Sequence, residues 1–261
     1  MKLMKSLVYF ASIVLLAITL TACGKDNPES GKKGADDETP VLKMGTSADF
    51  PPFESRDEKG NFVGFDIDLA QTIADELGYK LEITDMKFEG LISALQFGKV
   101  DMVLAGMSAT ADRKENVDFS KEYHRSSEMF LTKADSPVHS LEELKGKTVG
   151  VQLGTIQEEG ADKLKDKYGF KVKKVDDASV LIMELLSGKI DVAYMDKQVA
   201  TGYAEEHGLH GFDDPTSSSP GMAIAFPKGS DLVDQVNEVL DQLEKNGELQ
   251  KLKNKWELEE Q

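Results

Sequence analysis

The chain has 261 residues, of which 40% are hydrophobic, and its formal net charge is -16 because 47 acidic residues outnumber 31 basic ones. This length allows one large domain or two smaller lobes, each with its own hydrophobic core. The acidity excludes nucleic acid as an expected partner, since binding a phosphate backbone requires a basic surface.

The N-terminus has the layout of a secretory signal peptide. Lys2 and Lys5 precede an apolar run over 7–20, which is shorter than the ~20 residues that a membrane-spanning helix needs. Small residues then lead to Cys23, the single cysteine of the chain, and "LTAC" matches a lipobox. We therefore predict a signal peptide over 1–22 and a lipid on Cys23. The alternative is a chance cysteine at the end of a cleaved signal.

Residues 24–40 are polar and rich in glycine, proline and charge, so they cannot bury enough apolar surface to fold. We interpret 23–40 as the lipidated cysteine followed by a flexible tether. This arrangement predicts a globular body that its lipid holds on the extracellular face of the cell membrane.

From residue 41 onward, short apolar strands alternate with amphipathic helices. Asp66 suits the N-cap and Gly78 the C′ position of the first helix. The pattern predicts strands over 42–47, 81–86 and 100–106, and helices over 65–79, 88–98 and 110–117. This βαβαβα order indicates a mainly parallel sheet covered by helices.

The same order then repeats. It predicts strands over 148–153, 171–176 and 190–196, and helices over 156–168, 178–188 and 197–208. One helix-to-strand junction recurs at the same spacing in both halves, with Gly98, Lys99 and Asp101 matched by Gly188, Lys189 and Asp191. Two similar three-layer lobes explain this repetition better than chance does.

The last segment contains a strand over 222–227 and helices over 230–247 and 248–260, which complete the first lobe if the chain crosses back. We predict crossings near 130–134 and 220–223, which form a hinge. Lobe 1 then comprises 41–131 and 222–261, lobe 2 comprises 132–221, and a ligand cleft lies between them.

In open α/β sheets, ligands bind beyond the carboxyl ends of the strands, and several such ends carry groups suited to an amino-acid zwitterion. Arg113 offers a planar fork for a carboxylate, and the helix opened by Thr155 offers backbone amides to the same anion. Alternatives remain for each residue: Arg113 could pair with Asp112 or Glu115, and Thr155 with Glu158 resembles a capping box.

Asp196 supplies the opposite charge for an α-ammonium group, with help from Ser108 and the Gly106 carbonyl. Phe50 and Phe88 could form the walls of a side-chain pocket. The simpler alternatives are that Asp196 caps the following helix and that Phe50 packs within its own loop.

Other chemistries have weaker support in the sequence. Asp66 and Asp68 have no third metal ligand nearby, and the histidines lack the spacing of a metal motif. Neither a GxSxG elbow nor a Walker A loop is present. We expect no metal, no cofactor and no catalytic residue.

Five segments, spread in order over 41–257, carry a family resemblance: "GTSADFPPFE", "GFDIDLA", "GMSATADRK", "GKTVGVQLGTIQEE" and "NGELQKLKNKW". They resemble the solute-binding proteins of polar amino-acid ABC importers, and more narrowly the arginine-binding lipoproteins of Bacillus-type bacteria. The resemblance implies a monomeric, two-lobed periplasmic-binding-protein-like fold that closes on one amino acid. It also implies a membrane permease as partner, driven by cytoplasmic ATPase subunits.

The resemblance implies roles for individual residues as well. Arg113 and Thr155 would hold the carboxylate, and Asp196, Ser108 and Gly106 the ammonium. Phe50 and Phe88 would sandwich the side chain, and Gln152 and Gln157 would line the second lobe.

One position departs from the pattern. Some relatives specific for basic amino acids have aspartate where this chain has Ser47, so another acid must face a cationic side chain, and Asp49 and Glu89 are the candidates. Arginine is the favoured ligand, with lysine and histidine as further candidates. Glutamine or cystine binding, and a dehydratase-like enzyme on the same fold, are the alternatives.

Overall fold

The computed structural model describes residues 39–217 and 220–258. The predicted signal peptide, the lipidated Cys23 and all but the end of the predicted tether lie outside the described residues. Among the residues described, no helix combines the length and the apolar character needed to cross a membrane.

Strands and helices follow one another as the hydrophobic pattern predicts. The strands are β1 (Val41–Thr46), β2 (Ser55–Arg56), β3 (Phe62–Val63), β4 (Lys80–Asp85), β5 (Met102–Val103), β6 (Asp118–His124), β7 (Glu128–Lys133), β8 (Thr148–Gln152), β9 (Lys171–Val175), β10 (Val192–Asp196), β11 (Leu209–Asp213) and β12 (Met222–Phe226). The helices are α1 (Phe65–Leu77), α2 (Leu91–Gln96), α3 (Ala111–Asn116), α4 (Ile156–Tyr168), α5 (Ala178–Leu186), α6 (Lys197–His207), α7 (Leu232–Lys245) and α8 (Glu248–Lys255).

Each lobe is built on a mixed five-stranded sheet. The strand order is β4-β1-β5-β12-β6 in the first sheet and β11-β7-β10-β8-β9 in the second. Four strands of each sheet run in one direction, and the fifth, β12 or β7, is antiparallel to both of its neighbours. The predicted two-lobed α/β architecture with mostly parallel sheets is confirmed.

The first crossing between lobes lies earlier than the sequence indicates. β7 pairs with β10 and β11 of the second sheet, so the chain passes over between His124 and Glu128 and not near 130–134. Phe130 is fully buried in the second lobe, where its ring stacks on Tyr194 at 4.1 Å between centroids. Residues 128–131 therefore belong to lobe 2. β6, β7 and β11 are strands that the sequence analysis did not predict.

The repeated junction has the same hydrogen bonds in both lobes. Asp101 accepts from the backbone N–H of Lys43 at 2.8 Å and donates its own N–H to the Lys43 carbonyl. Asp191 makes the same pair of bonds with Thr148 of β8, the first at 2.7 Å. Each aspartate thus ties the start of one parallel strand to its neighbour, which explains why the motif recurs.

The start of α1 differs from the prediction. Gly64 is the N-cap, with φ 137, and a Cβ there would lie 2.1 Å from the carbonyl oxygen of Phe53. Asp66 is not a cap: it is fully buried, and its Oδ2 accepts from Gly106 N–H at 2.8 Å and from the Tyr123 hydroxyl at 2.9 Å. The glycine lets the chain before α1 pack closely, and this places the loop at 50–54 over the cleft.

Candidate functional site

A narrow pocket lies between the two sheets, at the ends where most strands point their carboxyl termini. It is lined by Ser47, Asp49, Phe50, Glu54, Phe88, Ala105, Gly106, Arg113, Gln152, Thr155, Ile156, Gln157, Asp196 and Met222.

Most of the residues proposed from the sequence meet in this pocket, but Ser108 and Glu89 do not line it. Ser108 is buried behind Arg113, to which it offers its carbonyl, and the side chain of Glu89 is exposed. The sequence reasoning missed Glu54, Ala105 and Met222. Of these, Glu54 had a usable signal: an acid directly after the apolar run "FPPF".

Arg113 is buried, with 8% of its surface exposed, and projects from the first turn of α3. Thr110 caps that helix by accepting from the Arg113 N–H at 3.2 Å. The guanidinium donates to the Ser108 carbonyl and, across the cleft, to the Gly154 carbonyl, both at 2.8 Å. Burial lowers the pKa of Arg113 to about 10, so it remains a cation at neutral pH.

The N-terminus of α4 faces Arg113 from the second lobe. Thr155 is the N-cap: its hydroxyl accepts from the Glu158 N–H at 3.2 Å and donates to the Gln152 carbonyl at 2.7 Å. The Glu158 carboxylate accepts from Gly154 N–H instead of closing a capping box on Thr155. The first-turn amides of a helix lack intrahelical acceptors, so this end of α4 favours an anion.

Asp196 both caps a helix and lines the pocket. Its Oδ1 accepts from the N–H groups of Gln198 and Val199 at the start of α6, at 2.8 and 3.4 Å. Burial raises the pKa of Asp196 to about 6, while a hydrogen bond from Ser126 and the two backbone bonds favour the anion. The two interpretations of Asp196 from the sequence are therefore compatible.

Asp49 connects the lobes. Its Oδ2 accepts from Ala178 N–H of α5 at 2.7 Å and from Gln152 Nε2 at 3.1 Å, while Oδ1 accepts from the Ser47 hydroxyl at 2.9 Å. Burial raises the pKa of Asp49 to about 6, and nearby Asp177 adds to the rise. Three protein donors thus already occupy this carboxylate in the closed structure.

Aromatic rings form part of the pocket wall. Phe50 packs against Phe53 with 6.0 Å between ring centroids, and a Cβ on Gly106 would lie 3.1 Å from the Phe50 ring. The Arg113 guanidinium carbon lies 5.3 Å from the centroid of Phe88. The glycine therefore makes room for one ring, and the arginine packs on the other.

Acidic residues outnumber basic residues in the pocket lining. Among the described residues that line it, three are acidic (Asp49, Glu54 and Asp196) and one, Arg113, is basic. Burial raises the pKa of Glu54 well above its usual value, and the negative charges of Asp66, Asp49 and Asp196 raise it further. In the described part of the chain, no cluster of three or more histidine, cysteine, aspartate or glutamate residues could hold a metal ion.

Residues 42–259 match the bacterial extracellular solute-binding proteins, family 3. The chain belongs to this family. It is 47% identical over 246 residues to the arginine-binding extracellular protein ArtP of Bacillus subtilis, covering 92% of this chain and 93% of that protein. Because this high identity over nearly the whole chain is to a transport binding protein and not to an enzyme, it decides against the dehydratase alternative.

Solved structures agree with this assignment. An ancestral arginine-binding protein bound to arginine superposes with a TM-score of 0.79 at 42% identity, covering 83% of this chain and 97% of that one. The arginine-, lysine-, histidine-binding protein ArtJ of Geobacillus stearothermophilus superposes with a TM-score of 0.78 at 34% identity. The match covers 85% of this chain and 96% of that one.

Proposed function

We propose that this protein binds a free cationic amino acid, arginine first, in the interlobe pocket and delivers it to the permease of an ABC importer. Lysine and histidine are further candidate ligands. The names of the similar proteins support arginine. The negative excess among the lining residues supports a ligand with a net positive charge.

The observation that carries the proposal is the state of Arg113. It is buried in the pocket wall, its two hydrogen bonds go to carbonyl oxygens, and no ion pair of the described residues includes it. A buried cation without an anionic partner is costly, so a ligand carboxylate is the natural complement. The N-terminus of α4 faces the same position and favours the same charge.

The remaining lining groups suit the rest of an amino acid. Asp196 offers negative charge to the α-ammonium group, and Phe50 and Phe88 can pack on the aliphatic part of the side chain. Gln152 and Gln157 add polar contacts from the second lobe. Micromolar affinity requires about 8 kcal/mol, which a few charge-assisted hydrogen bonds at ~1.5–3 kcal/mol each can supply after the cost of closure.

The proposed location of the protein is inferred from its N-terminal sequence. We propose that Cys23 carries a lipid, that 24–40 is a tether, and that the protein works as a monomer on the outer face of the membrane. Ligand-bound lobes would then close and dock on the transmembrane subunits of the importer, which ATPase subunits drive from the cytoplasm.

The test is a thermal-shift screen of the standard amino acids, followed by calorimetry of those that bind. We expect a shift with arginine, smaller shifts with lysine or histidine, and none with acidic amino acids. Arg113→Ala should weaken arginine binding by about 100-fold or more, because it removes a bidentate charge-assisted contact.

Arg56→Ala is the matched control, since Arg56 is exposed and pairs with Asp85 outside the pocket and away from the hinge. Unchanged arginine affinity in Arg113→Ala, or a response confined to glutamine or cystine, would contradict the proposal.

A further inference from the structure

The loop that follows β5 brings two main-chain carbonyl groups to the wall of the pocket. Ala105 and Gly106 both line the pocket, and neither of their carbonyl oxygens has a hydrogen-bond donor among the described residues. Most main-chain carbonyl groups inside proteins are paired. These two oxygens can therefore accept hydrogen bonds from a ligand.

Gly106 is held on both sides of its carbonyl group. Its φ is 55, a left-handed conformation that favours glycine, and its N–H donates to Oδ2 of Asp66 at 2.8 Å. On the other side, the Met107 carbonyl accepts from the N–H of Ala223 in β12 at 3.0 Å. Because peptide units are planar, these two bonds leave the Gly106 carbonyl little freedom to turn.

Asp66 holds Gly106 from behind the pocket wall. It lies in the first turn of α1, is fully buried and does not line the pocket. Its N–H donates to the Phe53 carbonyl at 2.9 Å, and its Oδ2 accepts from the hydroxyl of Tyr123, on β6, at 2.9 Å. Burial raises the pKa of Tyr123 well above its usual value, so the hydroxyl keeps its proton and remains a donor.

Helix packing does not explain why this position carries a carboxylate. Burial raises the pKa of Asp66 to about 6, so its charge at neutral pH is unfavourable at this site. An apolar side chain would fill the same space without that penalty, and Gly64, not Asp66, is the N-cap of α1. What the carboxylate adds is an acceptor for Gly106 N–H.

We propose that Asp66 is a positioning residue for the α-ammonium group of the ligand: by holding Gly106 N–H, it fixes the Gly106 carbonyl as an acceptor for that group. This inference rests on the proposed binding of a free amino acid. The ammonium group then has a main-chain acceptor from lobe 1 and the charge of Asp196 from lobe 2. Asp66 thus selects for ligands that have an α-amino group without touching them.

Three ligands separate the parts of an amino acid. Citrulline keeps the carboxylate and the α-ammonium group of arginine and replaces the guanidinium with a neutral ureido group. Arginine without its α-amino group, δ-guanidinovalerate, keeps the carboxylate and the guanidinium. If Asp66 acts through Gly106, its removal affects arginine and citrulline alike and spares δ-guanidinovalerate.

The experiment is titration calorimetry of the purified full-length chain and of Asp66→Ala with these three ligands at neutral pH. Asp66→Ala should weaken the binding of arginine and of citrulline by about 10- to 100-fold each, because a misplaced carbonyl loses a charge-assisted hydrogen bond. The affinity for δ-guanidinovalerate should change by less than about threefold, since that ligand does not use the carbonyl.

Asp66→Asn tests whether the hydrogen bond to Gly106 or the charge matters. The amide oxygen of asparagine can still accept from Gly106 N–H and from the Tyr123 hydroxyl. The lost charge is partly replaced, because Asp66 is one of the charges that raise the pKa of Glu54, and Glu54 then ionises more readily. Asp66→Asn should therefore recover most of the affinity that Asp66→Ala loses.

Asp101→Ala is the matched control. Asp101 lies before β5, at the end of the strand away from the pocket, and accepts from the Lys43 N–H at 2.8 Å. Its removal should lower the melting temperature and leave the affinities for all three ligands as in the wild type.

Tyr123→Phe decides the matter if Asp66→Ala does not fold. It keeps the buried ring and removes one of the two donors to Oδ2 of Asp66. It should weaken arginine and citrulline binding by about threefold and spare δ-guanidinovalerate.

Two results would overturn the inference. An equal loss for all three ligands in Asp66→Ala or Tyr123→Phe means a merely structural role, and equal losses in Asp66→Ala and Asp66→Asn mean that the charge acts and not the bond to Gly106. Both leave the proposed function intact. Failure of every free amino acid to bind would overturn the proposed function, and this inference with it.

Discussion

Buried carboxyl groups dominate the electrostatics of this protein at the scale of single residues. Asp49, Asp66 and Asp196 have pKa values raised to about 6, in each case first by removal from water. Hydrogen bonds from backbone and side chains oppose the rise without cancelling it. Between about pH 4 and pH 6, the folded protein consequently holds protons that the unfolded chain has already released.

This predicts that the closed form gains stability relative to the unfolded chain as the pH falls from about 7 to about 5. A carboxyl whose folded pKa is raised binds protons more readily when folded, so lower pH favours the fold, by about 1 kcal/mol over this range for each buried group. His124 acts in the opposite direction, because its lowered pKa makes folding release a proton below about pH 6.5. Three acids outweigh one histidine, and melting temperatures over this range check the sign.

Asp66→Asn is the informative control for this pH dependence. It removes one titrating group while an amide oxygen can still accept from Gly106 N–H and the Tyr123 hydroxyl. The pH dependence should become shallower in the variant. A melting temperature that falls steadily from pH 7 to 5 in the wild type would show that the buried acids do not control it.

At the scale of elements, the N-terminus of α4 links stability to binding. Thr155 fixes the first turn through its N-cap bond and ties that turn to the end of β8 through the Gln152 carbonyl. The carbonyl of Gly154, directly before this turn, accepts from the guanidinium of Arg113 across the cleft. The cap is thus part of how the carboxylate site is positioned.

Thr155→Val keeps the shape of the side chain and removes the hydroxyl. It should lower the free energy of unfolding by about 1 kcal/mol and weaken binding of every amino-acid ligand, because the carboxylate is common to all of them. Denaturant unfolding and calorimetry measure the two effects.

Thr201→Val is the matched control for that change. Thr201 lies inside α6, where its hydroxyl donates to the Lys197 carbonyl, away from the pocket. An equal loss of affinity in both variants would argue against a specific role for the cap of α4.

At the scale of the whole molecule, contacts between lobes hold the cleft closed. Arg113 bonds to Gly154, Asp49 bonds to Ala178 and Gln152, and Lys87 pairs with Asp177 at 3.2 Å. Gly154 is also packed closely, since a Cβ there would lie 2.9 Å from Cα of Glu89. Closure therefore depends on main-chain proximity as well as on charge.

Asp49→Ala should weaken arginine and citrulline binding about tenfold because it removes contacts of the closed state, with a slightly larger loss for arginine because one negative charge also leaves the pocket. Small-angle scattering should show a smaller fraction of closed molecules at a given ligand concentration. Lys87→Ala, which breaks an exposed ion pair, should change little. A much larger loss for arginine than for citrulline would instead place the ligand cation on Asp49.

The sequence was a good guide to elements whose signals are local. α4 was predicted with its observed bounds, and Gly78 ends α1 in the left-handed conformation, with φ 73. α8 ends at Lys255, short of the predicted 260. The repeated junction at Asp101 and Asp191 indicated two similar lobes, because each copy makes its hydrogen bonds in the same structural context.

The errors concern partners that are distant along the chain. Nothing local in 128–133 shows which sheet the strand joins, since an apolar strand suits either one. Asp66 resembled an N-cap because caps are recognised from adjacent residues, whereas its actual partners are Gly106 and Tyr123. Glu89 was a candidate for the ligand cation, although it is exposed and does not line the pocket.

The sequence by itself determined the two-lobed α/β architecture, the family resemblance and most of the residues in the cleft. Periodicity, caps and strand ends depend on neighbours within a few positions, so a linear pattern can predict them. Only the tertiary structure decided which acids lack partners and which are shared between lobes. Those properties depend on burial and on distances between Glu54, Asp66 and Ala178, residues that folding alone brings to the same cleft.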